Sequence, residues 1–292
     1  MKQEILLPIR RAPLAEKQLD LALRFQLAKR RRYGAILSQV VLSRDERREY
    51  LGVSSLGTPP CALFYSLIRA EKEETDAGSQ FGFDTGHVLE AYILDLLEIS
   101  PSCRQRELVW QYPKAPGGRI VGHPDGILER MLPGGSCVIE CKATGGYSFD
   151  KKREEGPDQG HLEQVFCYAS KLMAPLFAVI YANREAKKST PFYQVFAYRI
   201  IDQHRAALAV QALFDVRFGQ VLDCLQTKRP TQPAAPKVEF GARGWRCRPD
   251  TSYFAQGKAQ KQVGYCSYRP VCPEAQEYLA NLRRKAEEKQ AA

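Results

Sequence analysis

Residues 137–143 read Cys-Val-Ile-Glu-Cys-Lys-Ala. Side chains alternate along a strand, so Glu140 and Lys142 share one face and Cys141 points to the other. Val138, Ile139 and Cys141 make this strand apolar on both sides, which places it inside a sheet covered by other elements. Glu and Lys two apart on an exposed strand are commonly a solvated face. In a mostly buried strand the same pair needs a chemical reason.

The surrounding pattern is that of an α/β protein. Apolar positions Leu14, Leu21, Phe25 and Ala28 recur at helical spacing across residues 14–32, and charge-rich helical sequence continues over 40–57. A short helix is expected at Ala62–Arg69. Asp84 or Thr85 is placed to cap a helix over His87–Ile99, whose apolar face is Val88, Leu89, Tyr92, Ile93, Leu96 and Leu97. Strand-like runs at Glu107–Tyr112, Arg119–Leu128 and Ser136–Ala143 are broken by Pro113–Gly118 and Pro133–Gly135, the signature of an antiparallel meander. Thr144–Gly160 reads as a loop. A helix at His161–Met173, strands at Leu176–Tyr181 and Phe192–Ile200, and a long helix at Gln203–Leu225 complete the regular part. The Pro- and Ala-rich segment Thr227–Val238 is a linker. The domain division is therefore a basic helical N-terminal region (1–60), a core (61–226) and a C-terminal arm (227–292).

Charge and cysteine content narrow the function. Lys plus Arg is 43 against 33 for Asp plus Glu, and residues 1–50 alone hold 12 basic and 6 acidic side chains. That balance favours a polyanionic partner, nucleic acid before a membrane surface. The run Lys29–Arg32 at a helix end is either a solvated face or a phosphate contact. No stretch approaches eighteen consecutive apolar residues, and Met1–Lys17 lacks the apolar run and cleavage site of a secretory signal. An intracellular, cytoplasmic protein is expected (host cytoplasm, if the source is viral). Nine cysteines, an odd number in a reducing compartment, argue against a disulfide framework. Five sit in apolar or periodic segments and read as core residues. Cys61, Cys247, Cys266 and Cys272 instead flank Pro, Gly, aromatic and basic residues. They are either metal or cluster ligands or four unrelated buried thiols.

Asp125, in His-Pro-Asp-Gly, lies in the run preceding the Glu140 strand. If those strands pair, Asp125 and Glu140 converge. Two carboxylates held together repel unless a cation sits between them, and oxygen-only ligation suits Mg²⁺ or Mn²⁺. Lys142 beside that ion would orient or deprotonate a water, or neutralise charge growing on a phosphate. These are the parts of metal-assisted phosphodiester hydrolysis.

Pro124-Asp125 followed by Glu140-Cys141-Lys142 resembles the PD-(D/E)XK nuclease signature. Three further pieces are similar to its RecB-like branch. Gly86 with Glu90 four residues on resembles a Gly-x-x-x-His motif, with Glu90 in the metal-binding histidine's place. Gln164 and Tyr168 match a Gln-x-x-x-Tyr motif on one helical face. Cys61, Cys247, Cys266 and Cys272 resemble the four-cysteine iron–sulfur set of AddB-type and CRISPR-associated exonucleases, although eighteen residues separate Cys247 from Cys266 here. The resemblance covers roughly residues 55–275. It implies a restriction-endonuclease-like core, a mixed central sheet flanked by helices, with N- and C-terminal helical arms joined by a metal cluster. It implies Mg²⁺ or Mn²⁺ held by Glu90, Asp125, Glu140 and the Cys141 carbonyl, with Lys142, Gln164 and Tyr168 completing the catalytic set. The four cysteines would hold a [4Fe–4S] cluster, or zinc as the lesser alternative. The activity implied is a DNA exonuclease on single-stranded or duplex ends; a structure-specific endonuclease, a CRISPR-adaptation trimming factor and a non-catalytic DNA-binding module are its rivals. A recombination or CRISPR-adaptation protein is the implied partner, with no membrane involved. Arg269 is a candidate backbone contact, and Tyr147, Phe149, Tyr265 and Tyr268 are candidate base-stacking groups.

Overall fold

The computed structural model describes residues 5–33, 50–58, 60–71, 77–131, 135–187, 190–227, 238–241 and 244–247, with positions 280 and 284. In chain order the elements are β1 (Ile9–Arg11), α1 (Pro13–Tyr33), β2 (Leu51–Gly52), α2 (Pro60–Leu67), α3 (Ala77–Leu96), β3 (Leu108–Gln111), β4 (Arg119–Gly122), β5 (Gly126–Met131), β6 (Gly135–Thr144), α4 (Gly146–Glu155), α5 (Gln159–Lys171), β7 (Leu176–Asn183), β8 (Tyr193–Ile200), α6 (Gln203–Thr227), β9 (Val238–Gly241) and β10 (Gly244–Cys247).

Five strands form a mixed sheet in the order β1-β8-β7-β6-β5. β6 and β7 run parallel, with Glu140 beside Val179 and Lys142 beside Tyr181; the other pairs are antiparallel. A parallel pair needs a long crossover, which α4 and α5 supply. One face of the sheet packs Val138, Phe177 and Val179 against Val165 and Phe166 of α5 and Phe214 and Phe218 of α6. The other packs Ile139, Cys141 and Ile180 against Leu19 and Leu23 of α1 and Ile93 and Leu96 of α3. This is the helix–sheet–helix layering that a strand apolar on both sides demands.

The expected three-strand meander is instead two sheets. β4 pairs antiparallel with β3 and parallel with β2, whereas β5 joins β6 in the main sheet. The chain crosses between them at His123-Pro124-Asp125. Pro124 has no N–H for a ladder, so the run breaks there. Asp125 thereby sits at a junction between sheets and outside any regular strand.

Other expectations also change. Residues 146–155 form α4 where a loop was expected. α3 begins at Ala77, so Asp84 and Thr85 are inside it rather than capping it, and the Thr85 hydroxyl donates one turn back to the Phe81 carbonyl at 2.7 Å. The N-terminal region is part of the core: β1 is the edge strand beside β8, and α1 covers the sheet. Its buried face is Ala15, Leu19 and Leu23, while Leu14, Leu21 and Phe25 are 57%, 55% and 68% exposed. Helical period alone cannot choose between these faces. The choice is made by anchoring, since the Ala12 N–H bonds the Ala197 carbonyl and the Glu16 carboxylate accepts the Ala197 N–H at 3.0 Å. Within the charge-rich segment 40–57, Leu51–Gly52 is a strand and Val53–Ser55 a single 3-10 turn rather than helix, and residues 40–49 lie outside the described residues. In the C-terminal arm, Val238–Gly241 and Gly244–Cys247 pair as the antiparallel strands β9 and β10.

Candidate active site

The open edge of β6 builds the site. β5 pairs with β6 only as far as Gly126 opposite Ile139, so that among the described residues no strand pairs with 140–144 of β6 on that side. Asp125 substitutes for the missing strand: its Oδ2 accepts the Cys141 N–H at 2.7 Å. The N–H and C=O of one strand residue point to the same edge, so the Cys141 carbonyl faces the side from which Asp125 approaches. Two glycines bracket this junction. A side chain at Gly122 would collide with the Tyr168 ring, and one at Gly126 with Leu94 and Ile99.

Glu140 is 1% exposed. Its Oε1 accepts the Lys142 ammonium at 2.5 Å and the Gln164 amide at 2.7 Å. Gln164 also donates to the Tyr168 hydroxyl at 3.2 Å, so these two residues of α5 act on the site through Glu140. Glu140 Oε2 is buried and makes no hydrogen bond. Glu90 arrives from α3. Gly86, one turn earlier, lies against Ala143, which brings the helix close to the end of β6.

Electrostatics couple the three acids. Burial and the Asp125 charge push the Glu90 carboxyl up to about 8. Burial pushes Glu140 up as well, with Asp125 and Glu90 adding to the shift and Lys142 opposing it. Asp125 is raised by burial against the pull of Lys142 and the Cys141 N–H. Burial disfavours the Lys142 ammonium, but Glu140 and Asp125 outweigh it and raise its pKa. Lys142 is therefore held as a cation. An ammonium at this place is suited to neutralising charge on a phosphate.

A hard divalent cation fits these donors. The unpartnered Glu140 Oε2 and the three coupled acids are donors that such a cation would satisfy. Among the described residues, no group of three or more His, Cys, Asp or Glu side chains is arranged to hold a metal ion. Mg²⁺ does not require one, since it is usually held by one or two carboxylates with waters and substrate phosphate completing its shell. Asp125 and Glu140, with the Cys141 carbonyl, meet that lesser demand.

Sequence reasoning missed two neighbours. Gln105 lies in a polar loop after α3, and its amide donates to Glu90 Oε1 at 3.0 Å and to Asp125 Oδ1 at 3.3 Å. His161, on α5 one turn before Gln164, places Nδ1 2.8 Å from the Tyr181 hydroxyl. Burial and then Lys142 lower its pKa to about 4, so it is neutral beside the site. The aromatic candidates divide: Tyr147 is 86% exposed, while Phe149 is buried in the core and cannot stack a base. Tyr265, Tyr268 and Arg269 lie outside the described residues, as do Cys266 and Cys272. Cys61 lies in α2 and Cys247 ends β10, but their side chains are likewise outside what is described.

No protein-family model and no curated protein matches the chain. Several solved structures are similar, three of them as follows. One, described as SSO0001, has a TM-score of 0.42 and 14% identity, covering 87% of this chain and 95% of that one. The alkaline exonuclease LHK-Exo from Laribacter hongkongensis has a TM-score of 0.37 and 14% identity, over 62% of this chain and 94% of that one. Its complex with dAMP has a TM-score of 0.39 and 16% identity, over the same shares. These likenesses are too distant to carry a functional argument, and the function is read from the site itself. Among the described residues no helix is long and apolar enough to cross a membrane.

Proposed function

We propose that this chain is a Mg²⁺- or Mn²⁺-dependent deoxyribonuclease that hydrolyses phosphodiester bonds, acting from single-stranded or duplex ends in recombination, repair or DNA processing. The observation that carries the proposal is local to β6: Asp125 accepts the Cys141 N–H, and the adjacent buried Glu140 holds Lys142 on one oxygen while its other oxygen has no partner. Asp125, Glu140 and the Cys141 carbonyl would hold the cation, with Glu90 beside them. When bound, the cation supplies Lewis-acid polarisation of the phosphate and lowers the pKa of a coordinated water. The chain's own residues do the rest. Lys142 faces the developing negative charge as an ammonium. Gln164 fixes the Glu140 carboxylate, Tyr168 supports Gln164, and burial keeps competing water away. Attack of water on phosphorus then breaks the P–O3′ bond, leaving a 5′-phosphate and a 3′-hydroxyl.

The four cysteines are a separate part of the proposal, resting on sequence alone. We assign Cys61, Cys247, Cys266 and Cys272 to a [4Fe–4S] cluster that staples α2 to the C-terminal arm. Visible absorption and iron analysis of anaerobically purified protein test it; a colourless, iron-free, folded protein overturns it.

The activity test is degradation of linear against covalently closed circular DNA with Mg²⁺ or Mn²⁺, and with chelator. Loss of linear DNA alone supports an end-directed exonuclease, and nicking of circles the endonuclease rival. Cation-independent cleavage, or binding without cleavage, overturns the proposal.

A further inference from the structure

The loop that follows α3 holds a side chain that joins two of the site's acids. Gln105 Nε2 donates to Glu90 Oε1 at 3.0 Å and to Asp125 Oδ1 at 3.3 Å, so one amide spans a carboxylate from α3 and a carboxylate from the sheet junction. The backbone is fixed to the same two places. The Gln105 N–H donates to the Pro124 carbonyl at 3.1 Å, and its neighbour Arg104 forms an isolated bridge with Gly126. Arg104 also reaches the other way. Its guanidinium donates to the Ile99 carbonyl at 2.9 and 2.6 Å and to Asp95 at 2.7 Å, gripping the end of α3. Arg104 and Gln105 thus clamp the helix carrying Glu90 to the turn carrying Asp125.

Gln105 adopts φ 49°, the left-handed region that favours glycine. A non-glycine residue held there marks a position where the surroundings over-determine the backbone, a pattern that clusters at functional sites. Glycine would serve the backbone better. The amide is what glycine would lack.

We propose that Gln105 is a positioning residue for the divalent-cation site, holding Glu90 and Asp125 at a fixed separation against their mutual repulsion. The inference rests on the nuclease reading only in requiring that the acids bind a cation. It does not require that DNA be cut. Partners of this kind, which hydrogen-bond ligating carboxylates, change metal affinity about 10- to 100-fold when removed.

The left-handed backbone supplies a variant that separates positioning from folding. Gln105→Gly relieves the backbone conformation while deleting the amide, so thermal stability stays equal to the parent or rises. Asparagine tolerates the left-handed region and retains the amide one methylene nearer the backbone. The probe is Mn²⁺ alone, titrated into the full-length protein and followed by electron paramagnetic resonance of free Mn²⁺. The expected result is affinity weakened about 10- to 100-fold in Gln105→Gly, with Gln105→Asn intermediate and all three proteins melting together or the glycine variant later. Parental Mn²⁺ affinity in Gln105→Gly overturns the inference and leaves the nuclease reading standing. A parent protein that binds no Mn²⁺ overturns both.

Discussion

β6 and β7 are parallel neighbours in register, buried under the same helices, and differ in charge at two paired positions. β7 reads Leu-Phe-Ala-Val-Ile-Tyr-Ala-Asn and is buried throughout. β6 has the same alternation but places Glu140 beside Val179 and Lys142 beside Tyr181. Apolar residues at those two positions would satisfy the fold, as β7 demonstrates one strand away. Burying a carboxylate and an ammonium there costs free energy that their hydrogen bonds return only in part. The excess is confined to the end of β6 where the neighbouring strand stops, and there, among the described residues, a backbone edge, acids and a lysine come together. Stability is built into β7, and chemistry into the last residues of β6.

The sharpest way to break this comparison is to remove the lysine that β7 does without. Lys142→Ala should lower cation-dependent cleavage of end-labelled linear DNA by about 100- to 10,000-fold while DNA binding persists; an unchanged initial rate contradicts the division of labour. The converse substitution is on β7. Phe177 is fully buried and stacks on Tyr198 with centroids 5.5 Å apart. Phe177→Ala should cost about 3–5 kcal/mol in urea unfolding, and residual folded protein should retain its specific activity. Gly122→Ala joins the two regions, because the new methyl meets the Tyr168 ring. A loss of about 1–3 kcal/mol is expected from overpacking, together with lower activity as Tyr168 and Gln164 shift. A fall in stability without a fall in rate would detach Tyr168 from the site.

The smallest expected effect is a dependence of stability on pH. Glu90 has a folded pKa of about 8 against an ordinary 4.5, so the folded chain binds the extra proton between those values. Its contribution to stability is therefore complete below about 4.5 and is lost as pH rises toward 8. Chelator-treated protein should melt at lower temperature at pH 8 than at pH 5. Glu90→Gln should recover stability at pH 8 and little at pH 5. A flat profile in the parent would show that the acids are not coupled.

Much of this architecture was legible in residue order. The apolar runs of β7 and β8 and the long period of α6 appear close to their expected positions, because each is decided by one uninterrupted pattern. The strand carrying Glu140 was legible for the same reason, and Pro124-Asp125 marked the acid before it. What escaped was set by tertiary anchoring. The buried face of α1 depends on the Glu16 and Ala12 hydrogen bonds to Ala197, which no helical period encodes. The division of one strand-like run into β4 and β5 depends on which sheet each half joins. Gln105 was invisible because its contribution comes from a left-handed backbone in a loop that reads only as polar. The cysteine assignment remains a proposal from spacing.

The most direct measurement is anomalous X-ray scattering from crystals of the protein soaked in Mn²⁺. The account predicts a manganese peak within ligating distance of Asp125 and of Glu140 Oε2, on the side of the Cys141 carbonyl. A fully soaked crystal with no peak there, or with manganese bound only elsewhere, would contradict it.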